Sequence, residues 1–147
     1  MKKIKVAQIG TSKNSHGILI WESMIKQKDI FDVVGYAFPG NEREKFPDRA
    51  KAFEGYKEMT VDEILNNPEI EAVAVETEEI YLTKYALMVA NAGKHLHMEK
   101  PGGVDLADFE KLVETLKSKN LAFSTGYFKA FLSIFLLATS KISKFNT

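Results

Sequence analysis

Short apolar runs alternate with segments of helical periodicity along most of this chain, and this alternation limits the folds it can adopt. The run Ile4–Gly10 is rich in β-branched residues, ends at a glycine, and is typical of a strand buried on both faces. From Gly17 to Lys28, apolar residues recur at three- and four-residue spacing, which predicts an amphipathic helix. Repeated alternation of this kind predicts an α/β fold, a doubly wound and mostly parallel sheet with helices on both faces.

The same alternation continues to about residue 127. The further predicted strands are Ile30–Phe38, Gly55–Met59, Ile70–Glu76, His95–Glu99 and Leu121–Tyr127. Helices are predicted between them, and several carry recognisable start signals. Asn14 or Ser15 is the expected N-cap of the first helix, Thr60 with Glu63 forms a capping box, and Asp105 caps the last clear helix.

Composition excludes several classes of protein. The 147 residues suffice for one domain, and 20 basic against 20 acidic side chains give no overall attraction to nucleic acid or to anionic membranes. The absence of cysteine excludes disulfides and thiolate chemistry. The apolar run after the basic N-terminus is shorter than the ~7–15 residues of a signal peptide. These features predict a cytoplasmic protein that binds neither nucleic acid nor membrane.

The polar turn after the first strand is the first candidate site. In an open parallel sheet, ligands bind beyond the carboxyl ends of the strands, where a glycine-rich turn can place amides around a pyrophosphate. Ser12 and Ser15 stand where the second and third glycines of such a turn would be. The alternative is a polar loop that only caps a helix. The predicted cofactor-binding residues of this turn are Gly10, Thr11, Ser12, Ser15 and His16.

A dinucleotide site usually has an acid at the end of the second strand to hold the adenosine ribose. This strand ends at Phe38, followed by Pro39 and Gly40, so no acid stands there. Phe38 is predicted to stack on adenine, and Arg43 is a candidate for contact with a 2′-phosphate. The choice between NAD and NADP stays open.

The segment AGKHLHMEKPGG, Ala92–Gly103, resembles the Gfo/Idh/MocA oxidoreductase family, in which an AGKH turn leads into a strand that ends in EKP. The resemblance extends over about residues 3–127 and includes the turn at Thr77 and the TGY at Thr125–Tyr127. It implies a Rossmann domain over residues 1–127 that binds NAD or NADP.

The resemblance also implies roles for single residues. Lys100 would be catalytic, with its ammonium near the nicotinamide and a substrate oxygen, where charge develops during hydride transfer. Glu99 would contact the nicotinamide side, Pro101 would fix the backbone, and Thr77 would border the cofactor. The sequence departs from the family where it has Glu78 and Glu79 in place of a proline and an asparagine.

A zinc site is the alternative for the same strand. His95, His97 and Glu99 alternate, so a strand would place all three side chains on one face. We predict no metal, because the family resemblance already accounts for His95 and Glu99.

After Tyr127 the resemblance ends, and residues 128–147 form an apolar tail of biased composition. Family members continue into a second domain that supplies the substrate pocket. We therefore expect a frameshift or truncation, with a sugar, polyol or related hydroxy compound as substrate only if a second domain is supplied, and no turnover by the chain alone. The apolar tail predicts a homo-oligomer. The alternative is a non-catalytic nucleotide-binding or protein-interaction remnant that associates through this tail.

Overall fold

A computed structural model of the chain describes residues 2–126, which form a five-stranded, all-parallel sheet in the order β2-β1-β3-β4-β5. The strands are β1 (Ile4–Ile9), β2 (Phe31–Ala37), β3 (Ala72–Val75), β4 (His95–Met98) and β5 (Phe123–Thr125). The helices are α1 (Gly17–Lys26), α2 (Glu42–Lys45), α3 (Pro47–Ala50), α4 (Val61–Asn66), α5 (Glu79–Asn91) and α6 (Leu106–Ser118). The predicted α/β fold is confirmed.

The sheet is covered on both faces, which explains why its central strands are apolar. One core cluster joins strand residues to α5 and α6, with Leu82, Val89 and Leu112 fully buried. The other contains Trp21 of α1, whose ring packs on Phe53 at 4.5 Å between centroids. Burying each large apolar side chain stabilises a fold by about 1.5–3 kcal/mol, so these two layers hold the sheet together.

The sheet reverses its winding at β1, which has β2 on one side and β3 on the other. Gly10 follows β1 with a φ of 89°, and a Cβ there would lie 2.6 Å from Thr77 Cγ2. A side chain at position 10 is therefore excluded both by backbone conformation and by space. As a result, the turn after β1 lies directly against the end of β3, at the place where doubly wound sheets bind ligands.

Most of the predicted helix signals are confirmed. Thr60 Oγ1 accepts a hydrogen bond from the Glu63 amide, and the Glu63 carboxylate accepts one from the Thr60 amide. Asp105 Oδ1 accepts from the Asp108 amide at 3.0 Å at the start of α6. Gly93 follows α5 with a φ of 74°, the left-handed conformation that favours glycine after a helix.

Two local predictions are wrong. The N-cap of α1 is His16, with no side-chain cap, although Ser15 Oγ one residue earlier accepts from the Gly17 amide at 3.1 Å. Residues 55–59 do not form a strand; Glu58 makes a single bridge to Tyr36 at the edge of β2. Ser15 Oγ also donates to the Ser12 carbonyl at 3.0 Å within the turn, and residues 55–59 bond to β2 through the backbone of Tyr36.

Within residues 2–126, no helix is long and apolar enough to cross a membrane. The predicted apolar tail, residues 128–147, lies outside the described residues, as does Tyr127.

Candidate functional site

A cleft of about 320 Å³ lies at the carboxyl ends of β1, β3 and β4. The turn after β1 contributes residues 12–15, the segment after β3 contributes residues 77–80, and Glu99 and Lys100 follow β4. Phe46 closes the cleft from the segment after β2. Three separate strand ends therefore converge on one concave surface, which is where the fold predicts a ligand.

The turn after β1 offers two backbone donors to this cleft. The Ser12 amide donates to the Glu76 carbonyl at 2.9 Å, and the Ser15 amide donates to the Ser12 carbonyl at 3.1 Å. Between them, the amides of Lys13 and Asn14 have no acceptor among the residues that the structure describes. Both residues are exposed and line the cleft, so their amides are available to an anionic ligand.

Thr11 does not take part in the cleft surface, although it lies in the same turn. Its side chain is fully buried, and its amide donates to Glu42 Oε2 at 2.7 Å. Its carbonyl accepts from Arg49 Nε at 2.8 Å, and a second guanidinium nitrogen of Arg49 donates to the Ser15 carbonyl at 3.0 Å. The segment after β2 thus holds the turn from its outer side.

Glu42 is an unusual acid for a surface segment because it is 2% exposed. Burial raises the pKa of its carboxyl to about 7, although the hydrogen bond from the Thr11 amide acts in the opposite direction. Its charge therefore changes near neutral pH.

Glu99 is the second carboxyl that contacts the turn, and it reaches α1 from the end of β4. Its Oε2 accepts from the His16 amide at 2.6 Å and lies 2.7 Å from His16 Nδ1, while Oε1 accepts from the Lys100 amide at 2.8 Å. Burial acts to raise the pKa of Glu99, but the hydrogen bonds from His16 and Lys100 outweigh it, so the pKa is lowered. Glu99 is therefore an ionised carboxylate that ties β4 to the N-terminus of α1.

Glu76 lies beside Glu99, because Val75 and Met98 are paired in register and each acid is the next residue. Its side chain is fully buried, and neither carboxyl oxygen has a hydrogen-bond partner within residues 2–126, although His97 Nε2 lies 3.5 Å from its Oε1. Burial, together with the charge of Glu99, raises the pKa of Glu76 well above its usual value. The pKa values of the two neighbouring acids are therefore shifted in opposite directions, that of Glu76 upward and that of Glu99 downward.

The histidines of β4 are packed into the sheet. His97 is 2% exposed, its Nδ1 lies 2.8 Å from Ser124 Oγ, and burial lowers its pKa to about 4. His95 Nδ1 accepts from the Ala122 amide at 3.0 Å, and burial lowers its pKa too. Among the described residues, no group of three or more histidine, cysteine or acidic side chains is placed to hold a metal.

Lys100 is exposed at the edge of the cleft, and the loop that carries it is fixed at both ends. Its amide is held by Glu99, and Thr83 Oγ1 of α5 donates to the Gly102 carbonyl at 2.8 Å. A Cβ at Gly103 would lie 1.8 Å from Thr83 Oγ1, so this loop packs on α5 without room for a side chain. Pro101 is exposed and follows a cis peptide bond.

Phe38 and Arg43 lie outside the cleft lining. Phe38 is half-buried and packs on Tyr36 and Phe53, with ring centroids 4.7 and 5.0 Å away. Arg43 lies over the Phe38 ring at 5.4 Å and pairs with Glu58.

Of the predicted site residues, the cleft brings together Ser12, Ser15, Thr77, Glu99 and Lys100. Sequence reasoning missed Lys13 and Asn14, which the position of the turn would have suggested. It also missed Phe46, Ile80, Glu42 and Arg49, and no sequence signal marks these four.

The family can now be assigned from sequence comparison. Residues 4–127 match the model of the Gfo/Idh/MocA oxidoreductase family, described as an NAD-binding Rossmann fold. This chain belongs to the Gfo/Idh/MocA family. Its β1 turn, its all-parallel sheet and its EKP segment at the cleft are the parts of an NAD-binding Rossmann domain, so the predicted dinucleotide cofactor is confirmed.

Individual relatives match shorter segments. The chain is 35% identical over 82 residues to an uncharacterised oxidoreductase, YhhX, of Escherichia coli, covering 56% of this chain and 24% of that protein. It is 29% identical over 69 residues to a myo-inositol 2-dehydrogenase of Thermotoga maritima, covering 47% of this chain and 21% of that enzyme. The chain therefore spans about a quarter or less of the length of these relatives.

Solved structures share the fold. A scyllo-inositol dehydrogenase of Lactobacillus casei, with bound NAD(H) and scyllo-inositol, superposes with a TM-score of 0.70 at 22% identity. The superposition covers 88% of this Gfo/Idh/MocA chain and 38% of the dehydrogenase chain.

Proposed function

We propose that residues 1–127 form the dinucleotide-binding domain of an oxidoreductase that transfers a hydride between NAD(P) and a sugar, polyol or related hydroxy compound. The observation that carries this proposal is the cleft at the switch point. There Lys13 and Asn14, whose amides have no acceptor among the described residues, line the same cleft as the exposed Lys100 at the ends of three strands.

The donor set of the cleft fits an anionic dinucleotide. Lys13 and Asn14 would bind the pyrophosphate through their amides, assisted by the hydroxyls of Ser12 and Ser15 and by the Lys13 ammonium. Gly10 contributes by its missing side chain, since the turn lies against Thr77. When bound, the cofactor would supply the hydride chemistry.

Lys100 would be the catalytic residue, because its position at a strand end allows an ammonium to stabilise developing negative charge on a substrate oxygen. Glu99 would position this lysine and His16 rather than contact the nicotinamide, since both its oxygens already accept hydrogen bonds from protein groups. Pro101 would hold the backbone between Lys100 and the glycines that follow.

Three further residues keep a place in the proposal with altered roles. Thr11 would support the turn from inside, and His16 would border the turn through its contact with Glu99. Phe38 would contact adenine only at the edge of the cluster that it forms with Tyr36 and Phe53.

The substrate class is proposed from the relatives, two of which are named as inositol dehydrogenases. We also propose that these residues bind cofactor without turnover when no other domain faces the nicotinamide, because the family resemblance implies that the substrate pocket and its acid and base groups come from that other domain. The cytoplasmic location and the self-association stay predictions from composition.

Titration of the full chain with NADH, followed by fluorescence, tests the proposal. Lys13→Met should weaken binding about threefold to tenfold, because one charged phosphate contact is lost. Lys28→Met is the matched control: Lys28 is exposed just beyond the opposite end of α1, and its loss should leave the Kd unchanged.

A dehydrogenase assay with a panel of polyols completes the test. Binding without turnover is the expected result. Turnover by the chain alone that Lys100→Met abolishes would contradict the proposed inactivity and support the catalytic role of Lys100. Absence of binding at millimolar NADH would contradict it and favour the interaction-only alternative.

A further inference from the structure

We propose that dinucleotide binding to the β1 turn is coupled to proton uptake by Glu42, an inference that rests on the proposed function. Its geometric basis is the contact between the Glu42 carboxylate and the Thr11 amide at 2.7 Å. Thr11 is the residue between Gly10 and the donors of the cleft, so Glu42 places a buried negative charge beside the pyrophosphate site.

No cation neutralises this charge directly. Among the described residues, no lysine or arginine nitrogen lies within ion-pair distance of Glu42. The titratable and charged side chains that surround it are Lys45, Arg49, Glu78 and Tyr85. Lys45 pairs with Glu78 at 3.0 Å, and Arg49 donates to the carbonyls of the turn, so neither cation is paired with Glu42, although the charges of both act on it.

The approach of a pyrophosphate adds further negative charge to a site that holds an uncompensated carboxylate. The two charges repel each other more strongly in a buried site than in water. Protonation of Glu42 removes this repulsion, and it leaves the second oxygen able to accept from the Thr11 amide. The carboxyl is already poised to titrate, since burial holds its pKa at about 7. The bound complex therefore favours the protonated acid.

The direction of the pH effect follows from linkage. If binding raises the pKa of Glu42, affinity is highest below about pH 7 and falls as the pH rises through the raised value. A rise of one pKa unit corresponds to a tenfold change in affinity. We expect the Kd for NAD⁺ to increase roughly threefold to tenfold between pH 6 and pH 8.5.

The experiment is calorimetric titration of the full chain with NAD⁺ at several pH values, in buffers that differ in ionisation enthalpy. NAD⁺ is the probe because it lacks the titrating 2′-phosphate of NADP⁺. Glu42→Gln keeps an oxygen for the Thr11 amide but cannot titrate, so its Kd should vary little with pH and no proton should be taken up. Glu44→Gln is the matched control, since Glu44 is exposed on the same short helix and its variant should behave as wild type.

If wild type and Glu42→Gln show the same pH dependence of the Kd and take up the same number of protons on binding, the inference is overturned and the proposed function still stands. If Glu42→Gln does not fold, the wild-type proton count decides by itself, because zero uptake near pH 7.5 excludes the coupling. Absence of NAD⁺ binding in all three proteins overturns the proposed function and the inference together.

Discussion

Two glutamates hold the β1 turn from opposite sides, and their carboxyls respond to burial in opposite ways. Glu42, from the segment after β2, accepts one backbone amide, and its pKa rises to about 7. Glu99, from the end of β4, accepts two backbone amides and contacts His16 Nδ1, and its pKa falls. Both residues are nearly excluded from solvent, at 2% and 5% exposure, but they differ in the number of donors that they contact.

The comparison indicates that hydrogen-bond donors can offset the effect of burial on the pKa of an acid. One amide does not compensate for the loss of hydration, whereas three donors do. The β4 side of the turn is therefore held by a permanent charge, and the β2 side by a charge that depends on pH. Four variants, in order of decreasing effect, test this difference and the contacts around it.

Glu99→Gln should have the largest effect on stability. A glutamine oxygen cannot accept from His16 and Lys100 together, and the charge is lost, so the free energy of unfolding should fall by about 3 kcal/mol at pH 7. The lowered pKa means that the carboxylate stabilises the fold above pH 4.5 and that this contribution is lost as the pH falls through the folded-state value. Urea unfolding of wild type and Glu99→Gln at pH 7 and at pH 3.5 measures the loss of unfolding free energy and its dependence on pH. Glu79→Gln, exposed at the same cleft, is the control, and an equal loss there would refute the assignment.

Glu42→Gln should show the opposite dependence on pH. Its raised pKa means that the stabilising contribution is complete below pH 4.5 and is lost as the pH rises through about 7. Relative to wild type, Glu42→Gln should therefore gain about 2 kcal/mol of unfolding free energy between pH 5 and pH 8. Urea unfolding at the two pH values measures the gain. If the difference in unfolding free energy between Glu42→Gln and wild type does not change with pH, both glutamates carry the same charge.

Thr83→Val tests how the loop after β4 is held on its far side. The variant removes the hydrogen bond to the Gly102 carbonyl but keeps the shape of the side chain. A loss of about 1 kcal/mol is expected, since the carbonyl is left without its donor. Thr115→Val is a suitable control, because the Thr115 hydroxyl bonds within an exposed part of α6. Equal losses of unfolding free energy in the two variants would show that the buried hydrogen bond from Thr83 to Gly102 stabilises the fold no more than the exposed one does.

Lys45→Met should have the smallest effect. Lys45 pairs with Glu78 across the cleft rim, but both side chains are partly exposed, and ion pairs of this kind contribute little. Thermal unfolding should not distinguish the variant from wild type. A clear destabilisation would show that the segment over the turn is held by this pair as well as by Glu42 and Arg49.

Much of the fold could be predicted from local sequence. Strands β1, β2 and β3 are predictable because they are largely apolar runs, and the caps at Thr60 and Asp105 are predictable because their partners lie three residues away. Residues 55–59 were misassigned because a short polar segment has no periodicity strong enough to separate an edge bridge from a strand.

The candidate site was only half predictable. The sequence located the turn after β1 and the EKP segment, and through them the family. It did not indicate that Thr11 faces inward or that His16 and Glu99 meet, because these contacts join residues 31 and 83 positions apart.

Local sequence is sufficient for most of the strand and helix pattern, for the family resemblance and for the two segments that border the cleft, because the signals for each lie within short stretches of the chain. Only the tertiary contacts fix which amides of the turn have no acceptor and which ones donate to Glu42 and Glu99. They also decide the charge of those acids, because the pKa of a carboxyl depends on the donors and the water around it, and the order of the strands brings these together.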